Sequence, residues 1–119
     1  GDHRDLHSFP TRRSSDLLQR SSREFKENIN TLAIEDAIET LERLNPVQFR
    51  YKEDHQKETH IGFIAEDVPD LVASHDRKTL SPMDIVAVLT KVVKEQNNTI
   101  SLLMEKVQTL EQKSQSSAF

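Results

Sequence analysis

Two serines and a lysine stand within one short run, Ser21-Ser22-Arg23-Glu24-Phe25-Lys26. A hydroxyl and an amine are the minimal parts of a nucleophile and its base. The hydroxyl attacks a carbonyl only once its proton is taken, and an amine can take that proton only when neutral, a state that burial promotes. The spacing is awkward for the outer pair. Ser21 and Lys26 would point to opposite faces of a strand, and would lie about 140° apart around a helix of ~3.6 residues per turn. Ser22 and Lys26 would share one helical face. The spacing therefore leaves both serines open as nucleophiles, and a bend or a second chain has to bring Lys26 to Ser21. Among the five histidines, His3 and His7 have the i, i+4 spacing of a metal-ligating pair, His60 opens an apolar run, and His55 and His75 read as loop residues.

These side chains belong to a chain of 119 residues with 30% charged residues, 5% aromatics, a net charge of -4 and no cysteine. That length supports one small domain with a modest core, so part of the stability is expected from partner chains. Without cysteine there is neither a disulfide framework nor a thiolate zinc site. No apolar run approaches the ~18 residues of a membrane span, and the acidic balance lacks the basic stripe of a nucleic-acid binder. The expected partners therefore include no membrane and no nucleic acid.

Residues 1 to 17, GDHRDLHSFPTRRSSDL, back-translate one codon per residue into a string resembling a widely used short-read sequencing adapter. The competing readings, a targeting peptide or a site built on His3 and His7, are weaker, and the segment is set aside from fold reasoning. With it goes the only histidine pair at ligand spacing, so no metal and no cofactor is expected. The protein sequence proper is expected to begin near Leu18 as a fragment of a longer chain.

The remainder predicts an α+β fold: a small globular part over 18–80 with a short helix and a β-hairpin, then a long C-terminal helix over 81–112 and a flexible tail over 113–119. Ser22 to Leu32 is irregular and reads as extended. Glu35 to Leu44 sets Ala37, Ile38, Leu41 and Leu44 on one helical face and stops at Asn45-Pro46. Val47 to Lys52 alternates as a half-buried strand, and a second strand fits His60 to Ala65 across the polar loop EDHQKET. Gly62, inside that second strand, marks a bulge or the close approach of another backbone. Ser81-Pro82-Met83-Asp84 has the N-cap, first-position proline and early acid of a helix start.

From there Val86, Leu89, Val93, Gln96, Ile100, Leu103, Val107 and Leu110 form a heptad seam with β-branched residues at every a position. Such a seam should associate with copies of itself. Ile85, Val88 and Val92 widen the stripe at the N-terminal end, where the helix should also pack on the globular part. An intramolecular helix packed on its own sheet is the alternative.

Four ordered blocks then resemble one family: SSREFKENI at 21–29, LNPVQFRYK at 44–52, HIGFIAEDVPDLV at 60–72, and the LSPMDIVAVLTKVVKEQ helix at 80–96. They are similar to the C-terminal intramolecular chaperone auto-processing domain of phage endosialidase tailspikes and tail fibres, found also in the myelin regulatory factor. The resemblance implies a single-turnover, self-cleaving serine endopeptidase with a Ser-Lys dyad. Ser21 would be the nucleophile, Lys26 the base and Arg20-Ser21 the bond cut, with Ser22 a lesser rival.

His60 matches a histidine that the family places near its site, where it would orient a group or donate to the oxyanion. A structural hydrogen bond at a strand end accounts for it equally well. Glu27 and Asn28 follow the lysine in the family pattern, with capping or turn bonds as their alternative.

The resemblance further implies a homotrimer through the C-terminal helix and an upstream fibre domain in the same chain, with a virion tail fibre, a bacterial cell surface and the cytoplasm of the producing cell all left open as its location. The seam itself, β-branched at a with leucine at d, favours two strands, although Gln96 is a polar d residue able to reset that preference. A non-cleaving assembly module of the same fold is the second reading. A coiled-coil regulator of transcription is a third, disfavoured by the acidic charge.

Overall fold

The computed structural model describes residues 20 to 117, and the readings placed on residues 1 to 17, including His3 and His7, lie outside the described residues. The chain divides into two compact units at Thr31/Leu32.

In the second unit, α1 spans Ile34–Arg43, β1 Val47–Phe49, β2 His60–Gly62 and α2 Pro82–Ser117. Helix α1 places Glu35 and Asp36 in its first turn, against the positive end of its dipole, and Arg43 in its last. It ends where Leu44 turns to extended backbone, its N–H shared between Thr40 and Leu41 carbonyls. The two strands pair antiparallel, Val47 with Gly62, Gln48 with Ile61 and Phe49 with His60.

Both strands are shorter than their alternation predicts, because turn hydrogen bonds draw the chain off the ladder. Asp54 N–H donates to Tyr51 O at 3.1 Å beyond β1, and Asp67 N–H to Ile64 O at 2.9 Å beyond β2. At Gly62 the close neighbour is a side chain rather than a backbone. A Cβ there would stand 3.2 Å from the Phe49 ring, so the glycine lets that ring lie over the strand.

The core is built from Ala37 of α1, Val68 and Val72 of the connecting segment, and Ile85, Val88 and Val92 of α2, flanked by half-buried Leu32, Leu41, Leu44, Phe63 and Leu80. The long helix thus packs chiefly on α1 and also on the 3-10 turn Asp70–Val72. Ile85, Val88 and Val92 occupy the inward face foreseen for the N-terminal end of the helix. Ser81 starts it, its carbonyl accepting the N–H groups of Asp84 and Ile85 at 3.1 and 3.4 Å. The helix runs on through Lys113 to Ser117, past the point where the serine- and glutamine-rich composition predicts a frayed tail.

The connection from Glu66 to Leu80 is held by its own polar side chains. Arg77 donates to the carbonyls of Val68 at 2.9 Å and Glu66 at 3.4 Å, and pairs with Asp70. Asp76 accepts from Lys78 N–H at 2.9 Å and from Ser74 Oγ at 3.0 Å. These bonds hold the carboxyl of Asp76 below its ordinary range, the Lys78 N–H contributing most. They fix the loop that lowers Val68 and Val72 into the core.

Candidate active site

The first unit is described over residues 20 to 31, and its one regular feature is a 3-10 turn, Arg23–Phe25. Ser22 caps it. Its backbone is extended, with φ -65° and ψ 148°, and its Oγ accepts the Glu24 N–H at 3.3 Å. Phe25 and Lys26 N–H groups close the turn on Ser22 and Arg23 carbonyls at 3.0 and 3.1 Å. Lys26 then returns to extended backbone, φ -124° and ψ 148°.

One tight turn between two extended residues folds the segment back on itself, and the long lysine side chain spans what is left. Lys26 Nζ donates to Ser21 Oγ at 2.6 Å. The extended reading of 22–32 is corrected here, because a serine cap at position 22 makes a local turn cheaper than continued extension. That turn also brings Lys26 to Ser21 within a single chain, a contact that neither a regular strand nor a regular helix permits.

The two serines are thereby distinguished. Ser21 Oγ meets the amine, whereas Ser22 Oγ is engaged with the Glu24 N–H. Arg20, the residue before Ser21, lays its guanidinium 5.4 Å from the centre of the Phe25 ring, a cation–π contact that ties the residue preceding Ser21 to the turn. Asn28 has φ 53°, in the left-handed region that asparagine tolerates better than most residues, and its carbonyl accepts from Asn30 Nδ2 at 3.1 Å. A backbone role therefore accounts for Asn28.

His60 lies in the second unit, at the first position of β2, half-buried. Its ring stacks on Phe49 at 5.6 Å and 28° and meets Tyr51 edge-on at 5.2 Å. His55 is exposed in the hairpin loop and His75 in the loop after Val72. One grouping escaped the sequence reading. Asp54, Glu58 and His60 bring their donor atoms within 4.8 Å of one another. The spacing 54, 58, 60 gives no sign of this, because it depends on Lys57 adopting φ 54°.

Residues 21–77 match the model of the family described as Chaperone of endosialidase, Peptidase_S74. Over this segment, a little under half of its length, the chain is similar to that family. The match opens on Ser21 and closes on Arg77, so it takes in the Ser21–Lys26 turn, α1, the hairpin and the arginine that braces the following loop. The match supports a chaperone role for the segment, and α2 begins beyond it, at Pro82. Searches of curated proteins and of solved structures returned no match to this chain.

Proposed function

We propose that this chaperone domain assembles an upstream fibre segment as a homotrimer through α2 and then releases it by cutting its own chain at Arg20-Ser21. The observation that carries the reading is the 2.6 Å contact between Lys26 Nζ and Ser21 Oγ. With the amine neutral, Lys26 takes the Ser21 hydroxyl proton and Oγ attacks the carbonyl carbon of Arg20. The same ammonium returns the proton to the Ser21 nitrogen as the C–N bond breaks, leaving an ester between Arg20 and Ser21 Oγ. Water hydrolyses the ester, giving a carboxylate at Arg20 and a free amine at Ser21.

The contact as it stands has the opposite polarity: the ammonium donates and the hydroxyl accepts. A base has to lose that proton, and covering by apolar surface disfavours the charged form. The segment carries the means, since Phe25 and Ile29 are 57% and 53% exposed beside the dyad. A neighbouring protomer laid over them would dry Lys26. Assembly then switches the dyad on by desolvation, while the turn within one chain supplies proximity, and only a properly assembled fibre is cut.

Support for the trimer comes from the long helix. Every residue from Val93 to Ser116 is exposed, the apolar seam included, and a helix with no packed face is marginal in water. A shallow groove between α1 and α2, lined by Ile38, Leu41, Val92, Gln96, Thr99 and Ile100, continues the seam toward the core and suits a second copy of the same helix.

The test is a chain extended with a fibre domain ahead of Arg20. It should split without added protease into a C-terminal fragment beginning at Ser21, as read by intact-mass spectrometry. An uncut trimer would reject the peptidase reading and leave an assembly module.

A further inference from the structure

We propose that Asp54, Glu58 and His60 form a binding site for a divalent metal ion of the zinc type at the mouth of the hairpin. One donor atom from each residue lies within 4.8 Å of the others, close enough for one ion with zinc bond lengths of ~2.0 to 2.2 Å to draw the three to a common centre.

Two of the three donors are already oriented. Asp54 is half-buried and accepts the Gln56 N–H at 2.9 Å on Oδ1 and the Glu58 N–H at 3.0 Å on Oδ2, which fixes the carboxylate plane and leaves each oxygen a further lone pair. His60 is clamped between Phe49 and Tyr51, the kind of outer support that aims a metal-ligating imidazole.

Among the described residues neither carboxylate is paired with a lysine or arginine: the ion pairs join Arg43 to Glu39, Arg77 to Asp70 and Lys78 to Glu66, and none reaches Asp54 or Glu58. The nearest cation in sequence, Lys57, turns its amine to the Lys52 carbonyl at 3.3 Å. Two carboxylates therefore face an imidazole with no basic side chain between them. One nitrogen and two oxygen donors suit zinc, whereas magnesium and calcium favour all-oxygen sets. Three protein ligands leave a fourth position for water. A bound ion would pin the loop 53–59 to the first residue of β2.

The experiment is calorimetric titration of the full chain with zinc chloride and, separately, magnesium chloride, in a background carrying His3→Ala and His7→Ala to remove the other histidine pair. Saturable binding of one zinc per chain, a raised melting temperature and no magnesium binding are expected. Asp54→Asn and Glu58→Gln should each weaken zinc at least about tenfold with unchanged far-ultraviolet circular dichroism, and His55→Ala should leave it as it was. Absence of zinc binding, binding indifferent to Glu58→Gln, or binding lost with His55→Ala would overturn the proposal.

Discussion

Val92 and Val93 are neighbours in sequence yet belong to different interfaces: Val92 is 4% exposed in the core and Val93 59% exposed on the heptad seam. The same offset recurs one and two turns earlier, with Ile85 and Val88 buried while Val86 and Leu89 are open. One helix thus carries two apolar stripes about 100° apart. The inner stripe's last buried residue is Val92, and the outer one continues to Leu110. The two stripes should answer differently to substitution.

Ile85→Ala removes buried methyl groups from the inner stripe and should cost about 2 to 5 kcal/mol of unfolding free energy, read by chemical denaturation. Val93→Asp should leave the folded unit intact, since its site is solvent-exposed in one chain, but shift sedimentation equilibrium of residues 18 to 119 from trimer toward monomer. A dimer for the unmodified chain would show the core-packing preference of β-branched a residues prevailing over the family assembly. Equal effects of both substitutions on unfolding and association would mean that the stripes are not separate.

The two serines make the next separation. Ser21→Ala should abolish cleavage because no hydroxyl remains to attack, and Lys26→Ala should do so because no base remains, with trimer formation retained in both. Ser22→Ala should retain cleavage. It removes the cap on Glu24 N–H, and a lost N-cap costs ~0.5 to 2 kcal/mol, so a several-fold slowing through a looser turn is the expected size. Cleavage lost with Ser22→Ala and kept with Ser21→Ala would exchange the roles.

Much of this was legible in the sequence for physical reasons that can be named. Ala37, Leu41 and Leu44 announce α1 because period and stop signal coincide, and Ser81-Pro82 announces α2 because serine caps and proline costs nothing at the first position. The Ser21–Lys26 contact was legible only as a requirement for a bend. The bend depends on Ser22 capping a 3-10 turn, a choice between two near-equal local hydrogen-bond patterns that pattern reading cannot rank. Arg77 and the grouping of Asp54, Glu58 and His60 were illegible, since each depends on a non-glycine residue entering the left-handed region, Arg77 at φ 53° and Lys57 at φ 54°. Nothing in either residue type signals that conformation.

The loop bonds of Asp76 predict an acid dependence. Its carboxyl titrates below the ordinary value of 3.8 in the folded chain, first through the Lys78 N–H and then through Ser74. A depressed folded pKa means that the stabilisation is fully present above the unfolded value and is lost as pH falls through the folded one. Thermal melts should therefore hold down to about the unfolded value of 3.8 and fall as the pH drops below it toward the lower folded value. Asp76→Asn should flatten part of that dependence. An unchanged slope would place the acid sensitivity in other carboxylates, Glu66 among them, whose own N–H and Lys78 likewise lower its carboxyl.

The last prediction separates proximity from desolvation in the dyad. Leu103→Asp places a charge in the exposed seam of α2 and should weaken assembly while the turn that joins Lys26 to Ser21, closed within residues 21–26, stays intact. If a neighbouring chain were needed to bring the two groups together, cleavage in this variant would be absent at every pH. If assembly acts by drying Lys26, the unassembled variant keeps the geometry and lacks only the neutral amine. Its cleavage should then be suppressed at neutral pH relative to the unmodified trimer and rise as the pH is raised, since a more basic medium favours the neutral amine. Fragment formation followed on denaturing gels from pH 7 to pH 10 distinguishes the two. A Leu103→Asp chain that stays monomeric and yet cuts as fast as the trimer at pH 7 would show that assembly does not gate the reaction.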